Sequence, residues 1–186
     1  MKFEFVKESH QYFLNGEEIP SVTTIIKKAG LMPDYKGDAP AQFGTLVHEA
    51  CARYVEKFEL PTDPWVQVSV SGFISWCASY LPDALLVEKP MVNEKQKYAG
   101  TVDLVARCKN VKWLIDIKTG DYHPWHMIQL SAYDKMLMGT EDRPERFACL
   151  YLSTNEREKF TFKPFTWTDI SSAYSAFLNA HNLYKW

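Results

Sequence analysis

The stretch Tyr98-Ala-Gly-Thr-Val-Asp-Leu-Val-Ala-Arg-Cys-Lys-Asn-Val-Lys-Trp-Leu-Ile-Asp-Ile-Lys118 decides the fold. It reads as two strands joined by a short polar turn at Lys109-Asn110. Val102, Leu104 and Ala106 alternate with Thr101, Asp103 and Val105, and Trp113, Ile115 and Ile117 alternate with Leu114, Asp116 and Lys118. Alternation of this kind, rich in β-branched and aromatic residues, is a strand signature. A turn centred between Lys109 and Asn110 sets Arg107 opposite Lys112, Val105 opposite Leu114, and Asp103 opposite Asp116. Lys118, two residues beyond Asp116, points to the same face. Like charges directly opposed destabilise a sheet unless something compensates. A divalent cation between Asp103 and Asp116 would do so.

The rest of the chain frames this hairpin. Its 186 residues suit one domain, 46% hydrophobic and 24% charged, with an aromatic share of 15%. The net charge of −2 advertises no basic field, so any site for a polyanion must be a local patch. Cys51, Cys77, Cys108 and Cys149 form no C-x-x-C, which argues against zinc and against an iron–sulfur cluster. They read as small buried thiols in a reducing cytoplasm. The N-terminus lacks an apolar signal core, and no run approaches membrane-spanning length.

In chain order, residues 3–20 read as short strands turning at Asn15-Gly16, and Ser21 as the cap of a helix from Val22 to Ala29. Residues 31–42, with Pro33, Gly37 and Pro40, read as a loop. A helix is expected from Gly44 to Phe58 with Leu46, Val47, Ala50, Cys51, Tyr54, Val55 and Phe58 as its apolar stripe. A second follows from Val66 to Tyr80, then a strand from Leu85 to Val92. Beyond the hairpin, Pro124 starts a helix to Met138, Phe147–Ser153 reads as a strand and Phe160–Phe165 as an edge strand. Thr168 is expected to cap a last helix. This order indicates an α/β sandwich on a mixed sheet. The expected layout is one domain: an extension over residues 1–43, a core over 44–153, and an edge strand with a C-terminal helix over 154–186.

Asp103, Asp116 and Lys118 carry the chemistry best. Phosphodiester hydrolysis needs charge neutralised at phosphate and a water made nucleophilic, and Mg²⁺ or Mn²⁺ supports both. Mg²⁺ takes few protein carboxylates and keeps several waters. Lys118 can position the attacking water, help deprotonate it, or stabilise charge on phosphate. The plain alternative is a salt bridge of Lys118 with either aspartate. Glu88 is a further ligand or a solvated strand-end charge, and His48, at the edge of an apolar stripe, is a ligand or a packed core histidine. Gln129 and Tyr133 share a helix face and suit phosphate or water contacts, or simply point into solvent as polar residues of a helix surface do. Tyr122 and Trp125 offer rings on which DNA bases stack, with Trp125 in the core as the alternative. Lys89 and Lys97 flank the site in sequence and could meet a phosphate backbone, or simply be solvated.

Gly44-x-x-x-His48, Glu88 before a hairpin, Gly100-x-x-Asp103, Asp116-Ile-Lys118 and Gln129-x-x-x-Tyr133 occur in an order that resembles the PD-(D/E)xK nuclease superfamily, in its branch of RecB-type, Cas4-like exonuclease domains. The stretch from His10 through Tyr12 and Asn15-Gly16 to Pro20-Ser-Val-Thr23 is similar to small phage-encoded members of that branch. The resemblance implies a restriction-endonuclease-like αβββαβ core and a metal-dependent DNA nuclease, most often an exonuclease. It implies a metal on His48, Asp103, Asp116 and the backbone carbonyl of Ile117, with Glu88 in support, Lys118 as the catalytic lysine, and Gln129 and Tyr133 supporting site and DNA. The cysteine spacings of the Cas4-like iron–sulfur cluster are absent. DNA ends are the implied substrate, with a recombination or single-strand-binding protein as partner, in a host cytoplasm if the protein is phage-encoded. A structure-selective endonuclease, or a non-catalytic DNA-end-binding module, would be alternatives on the same core.

Overall fold

A computed structural model describes residues 2–33, 39–155 and 159–185. The hairpin at its centre comprises β5 (Tyr98–Cys108) and β6 (Val111–Thr119). Main-chain pairing runs from Cys108↔Val111 through Arg107↔Lys112 and Val105↔Leu114 to Leu104↔Ile115, the expected register. Lys109 (φ 50°) and Asn110 (φ 66°) are both left-handed. Two left-handed residues in a two-residue loop match the right-handed twist of the flanking strands. The same device joins β2 (Gln11–Leu14) to β3 (Glu17–Ile19) at Asn15-Gly16, beside β1 (Phe3–Val6).

The main sheet has five strands, β4 (Asp83–Asn93), β5, β6, β7 (Arg146–Leu152) and β8 (Phe160–Phe165), in that order. Its pairings are antiparallel except β6 with β7, which is parallel, so the sheet is mixed. Alternation along β6 sends Leu114 into one core and Ile115 and Ile117 into the other. The first core is completed by α1 (Val22–Lys28), α4 (Pro124–Leu137) and α5 (Trp167–Tyr184), the second by α2 (Ala39–Lys57) and α3 (Pro64–Tyr80). Leu114 and Ile115 are both fully buried. Full burial of such a side chain stabilises by about 1.5–3 kcal/mol, so this strand is anchored from both sides.

The fold is thus α/β with a helix-flanked mixed sheet. Several local expectations shift. Helix α2 already includes Ala39 and Pro40, which were expected in the loop; proline is tolerated in a first turn, where its missing N–H has no partner to lose. Gly37 lies outside the described residues. Leu46 is half exposed and Phe58, 78% exposed, follows the helix at a positive φ of 57°, so neither belongs to the buried stripe. Trp76 of α3 is fully buried. The last helix is capped by Thr166 rather than Thr168, because Thr166 and Asp169 exchange the two bonds of a capping box. Among the described residues, no helix is long and apolar enough to cross a membrane.

Candidate metal and catalytic site

The site begins where main-chain pairing of β5 with β6 stops. Asp103 is the residue just beyond the last rung, Leu104↔Ile115, and its Oδ2 accepts the Ile117 N–H at 2.7 Å. A carboxylate thus takes the place of a carbonyl in the ladder, and Asp103 and Asp116 are adjacent without being a hydrogen-bonded main-chain pair. On the other side, Val87↔Leu104 and Lys89↔Val102 bracket Asp103, which leaves Glu88 opposite it. Glu88 lies in mid-strand, not at a strand end, and has a φ of 43°. A non-glycine residue in that region is strained, and such strain concentrates at functional positions. Glu88, Asp103 and Asp116 therefore stand side by side across β4, β5 and β6.

Helix α2 brings His48 to this row. Its Nδ1 lies 3.5 Å from Glu88 Oε1 and 3.4 Å from Asp103 Oδ1. Ligand atoms of His48, Glu88 and Asp103 all lie within 4.8 Å of one another. Val47, Ala50 and Cys51, buried in the second core, fix the helix. Burial alone would lower the His48 imidazole, but Asp103, and after it Glu88, outweigh burial and hold it up at about 10. The imidazole is therefore held as a cation, with its Nδ1 facing both carboxylates.

Asp116 and Lys118 form the second half. Lys118 Nζ lies 2.6 Å from Asp116 Oδ2, with the Asp116 side chain fully buried. Burial raises the Asp116 carboxyl against the pull of Lys118, and Asp103 adds to the rise, which carries it to about 6. Burial lowers the Lys118 ammonium, yet Asp116 and Asp103 together leave it above its ordinary value. Lys118 is thus a charged ammonium at neutral pH, suited to stabilising negative charge rather than to taking a proton. The salt-bridge alternative is realised, but inside the protein rather than on its surface.

Helix α4 closes the site. Gln129 and Tyr133 are 7% and 4% exposed, so neither points into solvent, and Gln129 Nε2 donates to Tyr133 Oη at 2.7 Å. Gly100 makes room for the Tyr133 ring: a Cβ there would sit 2.7 Å from Tyr133 Cε1. Two buried acceptors, Asp116 Oδ1 and Gln129 Oε1, have no hydrogen-bond partner among the described residues. Leaving a buried acceptor unsatisfied costs about 1–3 kcal/mol, more when it is charged. Ligand atoms converge from His48, Glu88 and Asp103, and Asp116 lies outside that trio; a hard divalent cation on the trio, with its waters, fits the orphaned Asp116 and Gln129 oxygens. Among the described residues the four cysteines are free thiols, with Cys51, Cys108 and Cys149 buried and Cys77 half-buried.

The remaining expected residues divide. Trp125 is only 8% exposed and packs beneath Lys118, whose Nζ is 5.5 Å from the ring centroid, so its faces are not open for a base to stack on. Tyr122 is the exposed ring, at 41%. Lys97 pairs with Glu17 of β3 at 3.6 Å, away from the carboxylate row, while Lys89 is exposed beside Glu88. Sequence reasoning missed the role of the N-terminal sheet. Tyr12, almost fully buried, shares hydrogen bonds with Thr101 Oγ1 at 2.9 Å and His10 Nε2 at 3.2 Å. Lys7 reaches Glu49, the neighbour of His48, at 3.6 Å. The small sheet thus ties the helix of His48 to the strand of Asp103. Only the H-x-Y spacing hinted at this, and spacing does not say where a hairpin docks.

Searches for a matching family model and for similar curated proteins found none. Among solved structures, the fold is similar to a protein from Eubacterium rectale provisionally named an exonuclease, at a TM-score of 0.51 and 13% identity, over 86% of this chain and 73% of that one. A weaker likeness, to the protein SSO0001, has a TM-score of 0.33 and 12% identity over 85% and 83% of the two chains. The first likeness supports the architecture: a helix-flanked mixed sheet carried by very different sequences.

Proposed function

We propose that this chain is a divalent-metal-dependent deoxyribonuclease acting as an exonuclease, with the whole chain as one nuclease unit extended at its N-terminus. One observation carries the reading: a row of three carboxylates joined by His48 and Lys118, with a buried carboxylate oxygen of Asp116 left without a donor. The name of the Eubacterium rectale neighbour and the order of the sequence motifs point the same way.

In this reading His48, Asp103, Asp116 and the Ile117 carbonyl would hold Mg²⁺ or Mn²⁺, with Glu88 as a further ligand. When bound, the ion would supply charge neutralisation at phosphate and a water acidic enough to attack at neutral pH. Lys118 presents its ammonium to the phosphoryl oxygens, where negative charge grows as the attacking oxygen bonds to phosphorus and the leaving oxygen departs. Asp116 keeps that ammonium protonated and aimed. Gln129 and Tyr133 orient water or phosphate from α4, and Tyr122 and Lys89 meet the strand. DNA ends are the substrate, in recombination, repair or phage DNA metabolism, in the cytoplasm and alongside a single-strand-binding or recombination protein.

The test is cleavage of end-labelled single- and double-stranded DNA with Mg²⁺, with Mn²⁺ and with chelator. Metal-dependent shortening from an end, with covalently closed circles left intact, is expected. Cleavage of closed circles would assign an endonuclease instead. Absence of both Mn²⁺ binding and cleavage in the intact protein would overturn the reading.

A further inference from the structure

The sheet carries a cation that the catalytic set does not use. Asp116 pairs in register with Cys149 of β7, and Cys149 with Lys163 of the edge strand β8. Residues directly opposite in a ladder share a face. Lys163 therefore lies on the Asp116 side of the sheet, two strand spacings or roughly 9.5 Å away. Its ammonium sits 3.3 Å from the centroid of the Tyr122 ring. Tyr122 belongs to the segment between Lys118 and α4, and packs edge-on against Tyr151 at 6.4 Å. Tyr151 is in turn the ladder partner of Lys118. Lys118, Tyr151, Tyr122 and Lys163 thus form a continuous band from the site to the edge of the sheet.

The two lysines differ electrically. Asp116 neutralises Lys118, whereas among the described residues no carboxylate comes within ion-pair distance of Lys163. An aromatic face holds an ammonium in place through its quadrupole without cancelling its charge. Glu88, Asp103 and Asp116 repel a polyanion, so a strand reaching them needs a fixed positive charge on its path. Lysine serves phosphate as a point charge and reads no base.

We propose that Lys163, held on the ring of Tyr122, binds a backbone phosphate of single-stranded DNA adjacent to the phosphate at the catalytic residues. The proposal rests on the nuclease reading above and adds the direction in which the bound strand leaves the site, towards β8.

The experiment is fluorescence anisotropy of a labelled oligodeoxythymidylate with the intact protein in Ca²⁺, titrated across KCl concentrations. Wild type, Lys163→Gln, Tyr122→Leu and a control, Lys112→Gln at the far end of β6, are compared. A lysine that neutralises one phosphate of a single strand contributes roughly 0.7 to the slope of log K against log salt. Lys163→Gln is expected to flatten the slope by roughly that amount and weaken binding at low salt. Tyr122→Leu should do the same more weakly, and Lys112→Gln should leave both unchanged. A wild-type slope and affinity in Lys163→Gln, or an equal loss in Lys112→Gln, would overturn the proposal while leaving the nuclease reading standing. A wild-type protein that binds no oligonucleotide would overturn both.

Discussion

Replacing Asp103 by Asn keeps the shape of the side chain and one oxygen to accept the Ile117 N–H. It removes the charge facing His48 at 3.4 Å. The His48 imidazole is raised from 6.5 to about 10 in the folded protein. At about 1.4 kcal/mol for each pH unit, this corresponds to about 5 kcal/mol of preference for the charged form. Asp103 contributes more of the rise than Glu88 does. The substitution should therefore cost the metal-free protein about 3 kcal/mol at pH 6. The sign follows from linkage. A group whose pKa is raised on folding stabilises fully below its unfolded value, here 6.5, and loses that contribution as pH rises through about 10. Urea unfolding in chelator at pH 6 and pH 10.5 measures the difference. The gap between wild type and Asp103→Asn should shrink by at least half at the higher pH, the remainder reflecting the attraction between Asp103 and Lys118. An equal gap at both pH values would refute the charged-histidine account.

Other consequences follow from the same geometry. Because a protonated His48 stands where a cation would bind, Mn²⁺ binding near pH 7 should expel about one proton per ion. Calorimetry in buffers of different ionisation enthalpy counts it, and no release would remove His48 from the ligand set. Gly100→Ala puts a Cβ 2.7 Å from the buried Tyr133 ring. Overpacking of this kind costs about 1–3 kcal/mol, and each kcal/mol lowers Tm by about 2–4 °C for a chain of this size. An unchanged Tm and unchanged cleavage would show that the ring yields freely. Tyr12→Phe deletes the hydroxyl shared by His10 and Thr101 and should lower stability by about 1 kcal/mol in urea. Wild-type stability would show that the N-terminal sheet does not brace β5 through this bond.

The hairpin was legible because three local signals agree. Alternation fixed the strands, Lys109-Asn110 fixed the turn, and register then followed from counting. The site was less so. Counting places Asp103 opposite Asp116, but only the folded chain shows the Asp103 carboxylate replacing a rung of the ladder at Ile117. His48 looked like an edge residue of an apolar stripe, since its partners come from strands forty and more residues away in sequence. The family resemblance supplied that pairing; periodicity does not contain it. Helix α4 is buried nearly all round, which hides Gln129 and Tyr133 from any argument based on a polar face. Trp125 and Tyr122, three residues apart, looked alike in sequence and differ because one lies in the first turn of α4 against the core and the other in the segment before it. Lys163 has no motif at all. Its place beside the site comes from β8 pairing with β7, a long-range event that single-sequence patterns do not encode.

The central claim is the proposal that the buried Asp116–Lys118 pair, with the candidate metal group of His48, Glu88 and Asp103 beside it, cleaves phosphodiesters. The direct measurement is single-turnover cleavage of end-labelled DNA with Mn²⁺ by wild type, Lys118→Met and Asp116→Asn, each shown to be folded by its unfolding transition. Placed catalytic groups of this type contribute about 10²–10⁴-fold in rate. The account predicts cleavage by wild type only with metal present, and a loss of at least about 10²-fold in each variant. Cleavage by either variant at the wild-type rate would contradict it.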